Sequence, residues 1–371
     1  MTYTYDQLNR LASVMDNRLV AQGAASGITA YSYDPVSNQS SYTYPNAVVT
    51  SNSFNNLNRL TITGSTKGST LSNYTYTLGP TGNRLSAAEL GGRTVNYGYD
   101  NAYHLTSEAI TADPGSKNGT VNYVYDAVGN RTQMTSTLNA VPGGTFSYDT
   151  NDRLAGDTYD ANGNTISSAG IANTYDFENH MLTHGAVSTV YDGDGNRVSE
   201  TVGGTTTKYL VDDLNPTGYS QVMDELVNGS VTRTYAYGLN RISENQLIGN
   251  TWTPSFYGYD GHGNTRFLAN TAGAITDTYQ FDAFGAQIAS TGTTPNPYLF
   301  SGERFVQSIG LYHLRERYYN VWTGRFETTD PDEGTLDDPS TLHKYLYPAN
   351  NPVNLLDPTG TLALEYNGSI Q

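Results

Sequence analysis

Two aspartates near the end of the chain, Asp330 and Asp357, each stand before a proline and lie 27 residues apart (357 − 330). Two carboxylates brought into one water-poor pocket cannot both ionise easily, so one would keep a proton while the other acts as a base. Asp-Pro is equally an ordinary turn, and residue type alone leaves both uses open. Other candidate chemistry fails on spacing. Asp192-Gly193-Asp194-Gly195-Asn196 opens like a calcium loop, but Arg197 stands where that loop needs glycine and Gly203 where it needs a bidentate glutamate. His180 and His184 have a helical metal spacing, yet Tyr175-Asp176 places them in a strand and turn. No Gly-x-Ser-x-Gly elbow or Gly-rich phosphate loop is present, so no metal site and no cofactor is expected.

The elements that must position any such residues are set by a repeat. Tyr-Asp followed by Gly-Asn-Arg or a near variant recurs at Tyr5-Asp6, Tyr125-Asp126, Tyr148-Asp149, Tyr175-Asp176, Tyr191-Asp192 and Tyr259-Asp260, with a variant at Phe54-Asn55. Such recurrence marks an array whose units are stable only when stacked. Within a unit, Val121, Tyr123 and Tyr125 alternate like the inward face of a strand, and Asp126 to Asn130 supply turn residues. Tyr125, Tyr148, Tyr191 and Tyr259 are therefore expected at equivalent, largely buried inward positions. Aromatic faces also suit sugar rings, but this alternation assigns most tyrosines to packing.

With 38 Gly, 31 Tyr and only 15% charged residues, the composition predicts an all-β chain. Helical turns are expected only late, around Gly310 to Tyr319 or Pro339 to Tyr345. A formal charge of −16 argues against nucleic-acid backbone binding and adhesion to anionic membranes. No apolar run long enough to span a bilayer and no secretion signal appear, so no membrane insertion is expected. The absence of cysteine excludes disulfides. Tyr3-Thr4-Tyr5-Asp6 already reads as the inside of a unit, which leads us to expect a fragment of a longer array with an exposed N-terminal strand edge.

The last segment carries a specific resemblance. Pro297-Tyr298-Leu299-Phe300-Ser301-Gly302-Glu303, Gly310-Leu311-Tyr312-His313-Leu314-Arg315-Glu316-Arg317-Tyr318-Tyr319-Asn320, Thr323-Gly324-Arg325-Phe326, Asp330-Pro331, Asn350-Asn351-Pro352-Val353-Asn354 and Asp357-Pro358-Thr359-Gly360 together resemble the core domain of bacterial RHS proteins. The Tyr-Asp units resemble the YD repeats of that family. The resemblance implies a ribbon of β-hairpins over residues 1–295 curling into a shell or partial shell, a core domain over 296–360 with short helical turns, and a short tail over 361–371.

It also implies a use. In polymorphic toxins of this family the shell encloses a variable C-terminal effector, and the core cuts the chain behind itself to release it. By resemblance Asp330 and Asp357 match the two motifs that serve this autoproteolysis, with cleavage expected after Leu362. The first motif, Asp330-Pro331-Asp332-Glu333-Gly334, is one residue longer than the family's usual Asp-Pro-x-Gly. Arg325, shortly before Asp330, would hold one carboxylate ionised or serve as a structural ion pair. The tail is too short to be a catalytic domain. Implied partners are a C-terminal effector or upstream shell repeats of a secreted or surface-displayed parent. The alternative reading is a cell-surface adhesion or carbohydrate-binding array without cargo; loss of the C-terminus from a degenerate remnant is a third.

Overall fold

The recurring Asp turn explains the architecture. In the computed structural model, which describes residues 1–21, 26–337, 339–361 and 363–365, Asp126 Oδ1 accepts the N–H of Val128 at 3.0 Å and of Asn130 at 2.9 Å. The backbone closes around it, with Asp126 N–H donating to the Asn130 carbonyl and Gly129, at φ 94°, donating back to the Asp126 carbonyl. The same two carboxylate bonds recur at Asp6, Asp34, Asp100, Asp149, Asp176, Asp192, Asp260 and Asp282. Each carboxylate thereby satisfies two donors that a sharp reversal would leave unpaired.

These turns fold the chain into a continuous antiparallel meander. Strands from Thr2–Tyr5 to Gly144–Thr145 form a 13-stranded sheet, and strands from Thr158–Tyr159 to Gln287–Thr291 form a 14-stranded sheet. A 4-stranded sheet from Arg304–Val306 to Arg325–Phe326 follows, then the pair Leu355–Leu356 and Leu364–Glu365. Among the described residues Thr2–Tyr5 pairs on one side only, with Leu11–Met15. The fold is all-β, as composition requires. Helical turns occur at Asn17–Ala21, Phe300–Gly302, Pro339–Leu342 and Pro348–Asn350.

The helical turn expected at Gly310 to Tyr319 is instead a hairpin. Leu311–Leu314 pairs with Arg317–Asn320 across a two-residue turn in which Arg315 takes φ 55°. Alternating side chains find partners on both faces there, and pairing outweighs local propensity.

Tyrosine burial also departs from strict alternation. Tyr123 is 3% exposed, yet Tyr125, Tyr148 and Tyr191 are only half-buried; Tyr259 is buried. A register shift falls immediately before the tyrosine in most units, at Val124/Tyr125, Val190/Tyr191 and Gly258/Tyr259 among others. The shift alone does not set burial, since Tyr237 and Tyr259 each follow one and lie in the main core. The four nevertheless occupy equivalent places. Their hydroxyls donate to the carbonyls of Leu105, Arg131, Met181 and Arg241, each the residue that resumes the strand after the preceding turn. One phenol per unit therefore ties it to the unit before.

The main core joins the two large sheets and the C-terminal segment. Val121 and Tyr123 from the first sheet, Tyr257, Leu268 and Phe284 from the second, and Phe300, Tyr312, Tyr319 and Tyr347 from the C-terminal segment all belong to it. Tyr319 and Tyr347 stack with ring centroids 4.0 Å apart.

Candidate functional site

The C-terminal segment lies across the ribbon's turns and is fastened to them one by one. Asn354 Oδ1 accepts Arg84 N–H at 2.7 Å, Asn350 Nδ2 donates to the Gly129 carbonyl at 2.6 Å, Thr329 to Asn162, and the Tyr345 hydroxyl to Gly163. Arg325 belongs to this set of ties. Its Nη1 donates to Asn130 Oδ1 at 2.8 Å and its Nη2 to the Asp152 carbonyl, while the rings of Tyr148 and Tyr345 each lie 4.8 Å from its guanidinium carbon. Arg325 thus fastens the C-terminal sheet to the first sheet. Its guanidinium is engaged there rather than on Asp330, which corrects the carboxylate role expected for it.

Arg317 takes that role. It opens the strand Arg317–Asn320, is 3% exposed, and lies with its guanidinium carbon 3.7 Å from the Phe326 ring centroid. Its Nη2 is 2.6 Å from Asp330 Oδ2 and 3.5 Å from Asp357 Oδ2. The two aspartates singled out in the sequence therefore converge on one buried guanidinium. Sequence reasoning missed Arg317. The available signal was a charged residue between Leu314 and Tyr318-Tyr319, all of which are buried; a cation in such a run needs carboxylate partners.

Backbone geometry fixes each member. Asp330 N–H donates to the Lys344 carbonyl at 2.8 Å, which also accepts Arg317 Nη1 at 3.2 Å, and Asp330 Oδ1 accepts Asp332 N–H at 3.0 Å. Asp357 Oδ1 accepts Gly360 N–H at 2.7 Å, closing the Asp-Pro-Thr-Gly turn, and the Gly360 carbonyl accepts Arg317 Nε. Gly360 has φ 84°, and a Cβ there would collide with the Leu314 carbonyl, so glycine allows this turn to lie against the hairpin. Burial pushes the Asp330 carboxyl above its ordinary range despite the pull of Arg317. Burial also lowers Arg317, against both aspartates. Arg317 thus sets one cation against both carboxylates, while burial favours the protonated form of Asp330. Leu362, after which cleavage was expected, lies outside the described residues.

Of the two histidines, His180 serves a turn and His184 ends the strand Met181–His184. His180 Nδ1 lies 3.1 Å from Asp176 Oδ2, in the slot that Asn130 Nδ2 occupies against Asp126 Oδ2. Ligand atoms of Asp176, Glu178 and His180 lie within 4.8 Å of one another, but this turn bond accounts for the contact between Asp176 and His180. Asp192 likewise accepts the N–H of Asp194 and Asn196 as an ordinary turn of the series. No helix among the described residues is long and apolar enough to cross a membrane.

No family model matches the chain. Over 269 residues, 66% of the chain, it is 30% identical to the tRNA3(Ser)-specific nuclease WapA of Bacillus spizizenii. It is 29% identical over 267 residues to the tRNA nuclease WapA of Bacillus subtilis. The chain spans 11% of the length of either relative. Among solved structures, the TcdB2-TccC3-Cdc42 complex superposes with a TM-score of 0.78 at 18% identity, covering 97% of this chain and 20% of that one. TcdB2-TccC3 without its hypervariable C-terminal region gives 0.77 at 19%, covering 96% and 20%. At these identities the structural likeness is one of fold. Sequence relatives and fold together support an RHS-type chain.

Proposed function

We propose that this chain is wall and end-piece of an RHS-type toxin shell: a YD-repeat ribbon, followed from about residue 296 by a core that closes it and presents a C-terminal effector. One observation carries this reading. The C-terminal segment ties itself to successive turns of the ribbon and, in the same stroke, lays Asp330 and Asp357 on Arg317. The Asp turn and the phenol tie repeated from unit to unit support the YD-repeat assignment. Autoproteolysis by the aspartate pair is part of the proposal, with Arg317 holding the pair in register. The names of the Bacillus relatives attach tRNA nuclease activity to those whole proteins. The acidic segment matched here is proposed as housing rather than as the part that handles nucleic acid, within a parent that is secreted or displayed.

Intact-mass spectrometry tests the cleavage. The wild-type chain should lose the peptide after Leu362, whereas Asp330→Asn and Asp357→Asn should stay full length. Wild type that remains whole from mildly acid to mildly alkaline pH would remove the protease assignment and leave the shell reading in place. The carbohydrate-binding alternative draws less support, since the unit tyrosines spend their hydroxyls on the ribbon itself.

A further inference from the structure

Two turns of the first sheet, those opening at Asn55 and Gly79, carry an uncharged residue where Asp6 stands in the first unit. At the first unit Asp6 accepts Arg10 Nε at 2.8 Å and Nη2 at 2.7 Å, so the turn's own carboxylate neutralises the arginine four residues on. In the unit that ends in Arg59 the corresponding residue is Asn55. Its Oδ1 still accepts the N–H of Leu57 and Arg59 at 2.9 and 3.1 Å, so the turn is preserved, but its amide nitrogen cannot accept from a guanidinium. Arg59 reaches only carbonyls, with Nη1 3.4 Å from Gly79 O and 3.2 Å from Pro80 O, and its Nε is left without a hydrogen-bond partner. In the turn from Gly79 to Asn83 the Asp is replaced by glycine, and Arg84, the residue after that turn, ends on the carbonyls of Val353 and Gly261.

These turns line one side of a groove of about 420 Å³, whose other side is the loop carrying Asn351, Asn354 and Leu355. In a chain with 35 acidic and 19 basic residues, this groove is lined by Arg59 and Arg84 and, among the described residues, by no carboxylate. Leu57 and Tyr103 at its mouth are 68% and 44% exposed.

We propose that this groove binds an acidic peptide segment. A carboxylate of the ligand lies against the groove-facing part of the Arg59 guanidinium, and an apolar neighbour lies on Leu57 and Tyr103. A planar guanidinium with an unused edge favours a carboxylate in this way.

The test is fluorescence anisotropy of the full chain with a short labelled peptide alternating Glu and Leu. Saturable binding that weakens with added salt is expected, with little binding of the Gln/Leu counterpart. Arg59→Gln should weaken binding about tenfold, the effect of losing one charge-assisted contact. Asn55→Asp should weaken it comparably while leaving circular dichroism and the melting temperature unchanged, because it restores the internal pairing seen at Asp6 and Arg10. Equal binding of the Gln/Leu peptide, or Asn55→Asp binding as tightly as wild type, would overturn the proposal. So would inorganic phosphate binding where the peptide does not, which would make the groove a simple oxyanion site.

Discussion

Arg317→Met isolates what the convergence of the aspartates is worth. Methionine keeps an unbranched stem against Phe326 but removes the charge that faces Asp330 at 2.6 Å and Asp357 at 3.5 Å. Breaking a buried pair by deleting one partner typically costs about 3–5 kcal/mol, because an uncompensated charge remains. The carbonyls of Lys344 and Gly360 lose their guanidinium donor as well, so the upper end of that range is expected at neutral pH. The deficit must depend on pH. Asp330 already titrates above its ordinary range, and loss of the cation raises it further. A carboxyl whose folded pKa is raised stabilises the fold below its unfolded pKa of 3.8, and that contribution is lost as pH rises through the folded value. The variant should therefore lag wild type by only about 1–2 kcal/mol in acid, where the neutral carboxyls need ordinary hydrogen bonds, and by the full amount at neutrality. Denaturant unfolding at both pH values reads this directly. Equal deficits in acid and at neutrality would refute an electrostatic role for Arg317 and leave only packing. Adding Asp330→Asn and Asp357→Asn to the methionine variant should recover part of the loss at neutral pH.

Tyr125→Phe removes only the hydroxyl bond to the Leu105 carbonyl and should cost about 1 kcal/mol, whereas Tyr123→Ala, two residues earlier in the buried core, should cost about 3–5 kcal/mol. Thermal or denaturant melts compare the two, and a reversed order would contradict the bulge between Val124 and Tyr125. Glu108 accepts the Ala283 N–H at 2.8 Å between the two sheets, where burial and the facing Asp282 push its carboxyl up. Its neutral form supports the fold below the ordinary glutamate value of 4.5, and that support is lost as pH rises through the raised folded value. Glu108→Gln should flatten the fall in stability toward alkaline pH, and an unchanged slope in denaturation midpoints would exclude Glu108 as its source.

The local unit was legible because its causes are local. An Asp that satisfies donors two and four residues on, followed by Gly or Asn, states the turn in its own letters, and alternation states the strands. The bulge before most of these tyrosines was not legible. It arises where pairing register and the sheet's twist meet, and nothing in Val124-Tyr125 distinguishes a bulged tyrosine from one that continues the inward face. At the site, Asp330 and Asp357 stood out through their prolines and the resemblance they carry. Arg317 did not, because its partners come from segments joined only when Lys344 and Gly360 are in place. Arg325 was singled out for its nearness to Asp330 in sequence, but its strand directs it toward Asn130.

The phenol tie has a consequence for how such a ribbon can lengthen. Because the hydroxyl of Tyr125, Tyr148, Tyr191 or Tyr259 donates to the carbonyl that resumes the preceding strand, this tie couples nearest neighbours. Inserting or excising one whole unit leaves every other phenol opposite an equivalent carbonyl, whereas adding a fraction of a unit strands a phenol and flips a face. By this tie alone the ribbon can lengthen or shorten in steps of one whole unit, while the bonds of the C-terminal segment to Gly129, Asn130 and Gly163 fix which turns must stay in place.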